Sequence, residues 1–330
     1  MKKTFLLMAA ALMTLAACGN KQQNATTEVS IDENAPVVYV TRDITPESLV
    51  KIYQALGRKA EGRVAVKIST GESEKTGYLR PDFIKPLVDE VQGTIVECNT
   101  AYHGSRFYSE DHWKAIKERG FMDIAKVDIM DEEGDMQIPV QDTTHLKYNL
   151  VGTHMANYDF MINLAHYKGH QMGGFGGVLK NASIGVASRN GKAYIHSAGY
   201  TSDPEECWNH VDDQDGFVES MAAAAQAVHN YFDNGNKIIY IAVMNKMSID
   251  CDCNANPQEP LIADYGIIAS LDPVALDQAA YDIVSQIHND EHNNTKPLLD
   301  RIEKQHGTHI MEWGEHIGLG SRNYKLVNID

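Results

Sequence analysis

Positive charge is in short supply: 29 Lys and Arg face 45 Asp and Glu, for a formal net charge of −16. A chain this acidic is excluded as a non-specific binder of nucleic acid or of an anionic membrane surface. Any anionic ligand must be held by a local cluster of donors working against the global field. Long apolar runs are missing too. The first, Phe5 to Leu15, is roughly ten residues, too short to cross about 30 Å of hydrocarbon. No G-x-G-x-x-G fingerprint links a strand to a helix, so a nicotinamide cofactor is unsupported. No nucleophile elbow is present, so a Ser-His-Asp triad has no basis. Cysteine is sparse, with five in the chain, and no internal repeat is visible.

The N-terminus carries the parts of a secretion signal. Lys2 and Lys3 precede the apolar run, and Leu15-Ala16-Ala17-Cys18-Gly19 follows it. Small residues before a cysteine suit a lipoprotein signal peptidase, so cleavage before Cys18 and lipidation of its thiol are expected. Acyl chains add roughly 0.8 kcal/mol per buried methylene, which makes such anchoring stable. Losing Lys2 and Lys3 leaves 27 basic against 45 acidic residues, or −18. Residues 19–35 are polar, without aromatics or apolar period, and read as a flexible tether. No acidic pair follows Cys18, so the expected address is the outer membrane, facing the periplasm. The lipid is the only expected contact with the membrane.

Residues 36–330 alternate strand and helix patterns. Val37–Val40, Val64–Ile68, Thr94–Cys98, Asp159–Leu164 and Lys237–Met244 read as strands. Helices are expected after Thr45-Pro46, after Arg80-Pro81, from His112, over Gly216–Phe232 and after Asp272-Pro273. Residues 131–150 read as an irregular strand pair, and the tail from Lys296 as one helix and a terminal strand. This alternation predicts an α/β fold: a mostly parallel sheet flanked by helices, in one large domain or two closely packed lobes.

Two constellations carry chemistry. His166, Lys168 and His170 leave a buried strand, where open α/β sheets bind ligands. A glycine-rich turn follows, with Gly174, Gly176 and Gly177 ahead of Lys180 and Asn181. Its backbone N–H groups, with Lys67, Lys168 and Lys180, are expected to hold a small anion, and His166 or His170 to transfer protons. The plainer alternative is a tight structural turn. The second constellation is Asp250-Cys251-Asp252-Cys253. Cys251, Cys253 and Asp252 can supply metal ligands, completed by His166, His170 or Cys98. In an oxidising compartment the two thiols can instead pair with Cys98 or Cys207. Glu72, Arg80, Glu97, Asn99 and His103 follow early strands, Asp264 and Asp277 late ones.

The segments KISTGE…YLRPDFIKPLVDE, AYHGSRF…DHWKAIKERGF, INLAHYKGHQMGGFGGVLKNASIGVASRNGKAYIHS and DCDCNANPQEPLIADYGIIASLDPVALDQAAYDIV resemble the domain-of-unknown-function 362 family. The resemblance implies an α/β protein, often with an iron–sulfur centre, and carries over to Lys168, Lys180, Cys251 and Cys253. Many relatives have a cysteine-rich insert after the segment matching Lys192–Ser197. Here AGYTSDPEECWNHVDDQDGF follows, with Cys207 as its one cysteine. A four-iron cluster needs about four thiolates and is not expected. The cofactor therefore stays open between a metal ion and none. The expected function is a lipoprotein binding a small anionic molecule, with or without a metal, in a cleft at strand ends. The alternatives are a non-catalytic metal- or ligand-binding lipoprotein and a redox partner; oligomeric state and catalysis stay open.

Overall fold

Strands β7 (Phe160–His166) and β10 (Ile238–Met244) are buried at every position, β10 as an unbroken apolar run and β7 as an apolar run broken by Asn163 and ending in His166. In this computed structural model, which describes residues 34–330, they form the centre of an eight-stranded sheet. The signal sequence, Cys18 and nearly all of the tether lie outside the described residues. The first half of the chain supplies β1 (Val37–Thr41), α1 (Pro46–Ala55), β2 (Val64–Lys67), α2 (Pro81–Glu90), β3 (Thr94–Glu97), α3 (Ser109–Glu118) and β4 (Val127–Ile129). A hairpin of β5 (Asp135–Ile138) and β6 (Asn149–Gly152) precedes β7. After β7 come the small hairpin β8 (Lys168–His170) and β9 (Gly174–Gly176), then α4 (Val178–Lys180), α5 (Arg189–His196) and α6 (Gln214–Tyr231). Beyond β10 lie β11 (Gly266–Ser270), α7 (Pro273–Gln286), α8 (Lys296–Lys304), α9 (His309–His316) and β12 (Lys325–Asn328).

The sheet order is β12-β1-β11-β10-β7-β2-β3-β4. All neighbours are parallel except β11, which runs antiparallel to both β1 and β10. Side chains alternate between two cores, as the period-two geometry of a strand dictates. Tyr240, Ala242 and Met244 join one core, with α6 and α7. Ile239, Ile241 and Val243 join the other, with α1 and α2. The order reverses between β2 and β7, because β3 and β4 extend one way and β7 and β10 the other. Such a switch point opens a crevice at the carboxyl ends of the strands.

Local signals explain several boundaries. Thr45 Oγ1 accepts from Ser48 N, with Pro46 at the first helical position. Asp272 Oδ1 accepts from the Val274 and Ala275 amides at the start of α7. Two expectations need correction. The tail holds two helices, because His306 (φ 49°) and Gly307 break what reads as one. Residues 189–196, assigned to no element by the sequence, form α5, capped by Ser188. No helix among the described residues is long and apolar enough to cross a membrane.

Candidate functional site: a cationic cavity at the strand ends

Lys67, Glu97 and His166 are the last residues of β2, β3 and β7. All three border a cavity of about 460 Å³. Lys67 Nζ lies 2.9 Å from Glu97 Oε2, and Arg106 Nη1 donates to Glu97 Oε1 at 3.1 Å. Arg106 Nε also meets Glu72 Oε2 at 3.0 Å. Burial pushes the Glu97 carboxyl up, but Lys67 and Arg106 outweigh it and hold the group well below the usual carboxylate range. Sequence reading gave no role to Arg106, because it lies in an irregular loop. Of the other early polar residues, Arg80 pairs with Glu74, and the exposed His103 with Glu205.

A second buried network joins the two constellations. Lys168 Nζ lies 3.1 Å from Asp252 Oδ2, and His166 Nδ1 is 3.0 Å from the same oxygen. His166 Nε2 faces the Asn245 carbonyl oxygen at 2.6 Å. Both imidazole nitrogens are therefore engaged by acceptors of the protein itself. The geometry of His166 is that of a positioning residue rather than the expected proton carrier. Burial opposes ionisation of Asp252, yet Lys168 and His166 hold its carboxyl well below the ordinary range. Asp252 thus serves its neighbours, with its oxygens turned to Lys168 and His166 instead of joining the thiols as a metal ligand.

The glycine-rich turn does not cradle a ligand in the way its sequence suggests. The Val178 and Leu179 amides donate to Oδ1 and Oδ2 of Asp277, each at 2.9 Å. A Cβ added at Gly177 would sit 2.2 Å from Asp277 Oδ1, so a larger residue here would have to displace that carboxylate. The turn is filled from inside by a carboxylate of α7. Gly174 and Gly176 do not border the cavity: Gly174 (φ +77°) packs on Gly307 and Ile302, and Gly176 leaves room for the Lys168 side chain. Asn181 Nδ2 donates to Asn163 Oδ1 at 2.7 Å and to the Lys67 carbonyl at 3.2 Å. Asp264, outside the cavity, accepts from the Lys246 amide.

On the cavity's rim, ligand atoms of His170, Cys251 and Cys253 all lie within 4.8 Å of one another. Cys98, Cys207, Cys251 and Cys253 are free. Cys98 Sγ donates to the Val186 carbonyl and Cys207 Sγ to the Pro204 carbonyl, and neither belongs to the group within 4.8 Å. A hydrogen bond from Cys253, helped by Lys180 and Lys168, pulls the Cys251 thiol down, and that same bond pushes Cys253 up. Lys180 Nζ stands 3.8 Å from Cys251 Sγ.

The family Domain of unknown function (DUF362) matches residues 64–282. The chain belongs to this family. No curated protein matches it. Among solved structures, the lactate racemase apoprotein of Thermoanaerobacterium thermosaccharolyticum is similar at 14% identity and a TM-score of 0.41, over 76% of this chain and 57% of that one. A Thermotoga maritima protein from a structural genomics consortium is similar at 12% identity and a TM-score of 0.39, over 82% of this chain and 58% of that one. The chain thus spans less than two thirds of the length of either structure.

An iron–sulfur centre of the four-iron kind does not fit this DUF362 chain. Only two of the four cysteines among the described residues, Cys251 and Cys253, are grouped with His170, and a four-iron cluster needs about four thiolates. A single soft metal has three ligand atoms at hand, and one further condition. His170 Nδ1 accepts from the Gly173 amide at 2.9 Å and the Met172 amide at 3.3 Å, which leaves the ring proton on Nε2. Metal-bound histidines have the reverse pattern, donating from the second nitrogen. Metal entry would require His170 to give up that arrangement. Burial, reinforced by Lys180 and His196, keeps the ring neutral. Lys192, His196 and Trp208, which the sequence pattern does not single out, also form the cavity wall. Lys192 and His196, four apart after the capping Ser188, were the available signal.

Proposed function

We propose that this protein binds a small anionic molecule, a carboxylate or phosphate, in the cavity at the ends of β2, β3 and β7. The observation that carries the reading is a charge count. Four cationic side chains border the cavity (Lys67, Arg106, Lys168 and Lys180), with the Lys192 amine beside them, against one carboxylate, Glu97. Glu97, Glu72 and Asp252 pair with Lys67, Arg106 and Lys168. Lys180 has no carboxylate partner among the described residues. In a chain with a net charge of −16, that local excess favours an anion from outside. Lys180, the half-buried one, offers the first contact.

The thiol edge supports a second component. His170, Cys251 and Cys253 would hold one soft metal ion beside the anion once the histidine tautomer changes. Lys2, Lys3, the Phe5–Leu15 run and Leu15-Ala16-Ala17-Cys18 support a lipid-anchored protein in the cell envelope, facing the periplasm. Replacement of Cys18 by alanine should abolish incorporation of a labelled fatty acid, and undiminished labelling would remove the anchor from this reading. The binding reading is tested by thermal shifts with phosphate, oxalate and succinate. Stabilisation by at least one of them, lost in Lys180→Gln, is expected; three flat responses would overturn the proposal.

A further inference from the structure

Lys192 is a buried lysine at the cavity wall, without an acid to pair with. It sits in α5, whose close approach to β6 depends on Gly191: a Cβ there would lie 2.0 Å from the Leu150 carbonyl oxygen. Lys192 Nζ donates to the Ala187 carbonyl at 2.5 Å. The carboxylates near enough to act on it are engaged. Asp131 takes the Asn99 amide at 2.9 Å and the Arg189 amide at 2.8 Å, and Glu97 is held by Lys67 and Arg106. Burial pushes the Lys192 ammonium down and the charge of Lys67 adds to it, against the pull of Cys98 and Asp131. A desolvated lysine beside a second cation is how proteins obtain a neutral amine near physiological pH.

His196 lies one helical turn further on and borders the same cavity. Its Nδ1 donates to the Lys192 carbonyl at 2.7 Å, so Nε2 carries the lone pair. Phe217 stacks on the ring at 5.0 Å between centroids. Burial pushes the group down to about 4. His196 is therefore a neutral base within the cavity wall, in the tautomer opposite to that of His170.

We propose that Lys192 is a nucleophile that forms an imine with the carbonyl carbon of a small oxo acid bound in the cavity, with His196 as the adjacent base. The proposal rests on the anion-binding reading, which supplies the ligand's carboxylate and its contact with Lys180. The neutral amine adds to the carbonyl carbon, and a proton moves from nitrogen to oxygen to give a carbinolamine. Loss of the remaining N–H proton and the hydroxyl as water leaves the C=N bond. His196 Nε2 accepts and returns the moving proton. No electrons are gained or lost.

The test uses the full chain with pyruvate or 2-oxoglutarate and cyanoborohydride, followed by peptide mass mapping. The expected result is a reduced adduct on Lys192 approaching one per chain, suppressed by excess succinate. Lys192→Arg should lose the adduct and keep the succinate-induced thermal shift. Labelling of Lys192 no greater than that of the exposed Lys114 would overturn the imine, and wild-type mapping decides this even if the variant folds poorly. A succinate shift with Lys192 unlabelled refutes the imine alone; an absent shift with all three anions refutes the anion reading beneath it.

Discussion

The ammonium of Lys168 lies 3.1 Å from Oδ2 of Asp252, and both side chains are buried. The pair ties β8 to the cysteine loop and leaves the two thiols facing the cavity. Removing one partner strands the other charge away from water. Asp252→Asn should therefore cost about 3–5 kcal/mol in urea unfolding. A loss under about 1 kcal/mol would mean that water reaches Lys168. Because the folded-state carboxyl of Asp252 is depressed, its contribution is present above about pH 4 and lost as pH falls.

Asp277 should show the opposite sign. Burial raises its carboxyl up to about 7, although two backbone N–H groups oppose the shift. The folded state then holds this proton more tightly than the unfolded chain. Stability contributed by Asp277 falls as pH rises from about 4 to about 7. The melting temperature of Asp277→Asn should decline less over that window than that of the wild type. Parallel curves would place the group in the ordinary range.

Gly177 gives a steric test of the same turn. Alanine there would put a methyl carbon 2.2 Å from Asp277 Oδ1. We expect Gly177→Ala to destabilise by about 1–3 kcal/mol in denaturant unfolding. An unchanged midpoint would show that the turn can open away from Asp277 without cost.

Metal content discriminates among the thiol readings. Protein purified without oxygen should carry at most one soft metal ion per chain, absent from Cys251→Ser. Four irons per chain with visible absorbance would contradict a site of one histidine and two thiols.

Much of the fold is legible in the sequence because it follows from local pattern. The apolar runs of β7 and β10 mark central strands, and Thr45-Pro46 and Asp272-Pro273 mark helix starts. The site is legible where residues end strands, as Lys67 and His166 do. It is not legible where partners come from afar. The glycine turn reads as an open cradle because the carboxylate filling it lies 99 residues later. Asp252 reads as a metal ligand because its partner His166 lies 86 residues earlier. Lys192 and His196 are not legible as site residues because α5 has a short, polar sequence whose register only its packing reveals.

The proposed function requires an anion in the cavity beside Lys180. Calorimetric titration of oxalate, succinate and inorganic phosphate into the wild type and Lys180→Gln tests it directly. We predict saturable binding of at least one anion, weakened at least about tenfold, or about 1.4 kcal/mol, by the substitution. Equal affinity in both proteins, or no heat with any of the three, would contradict it.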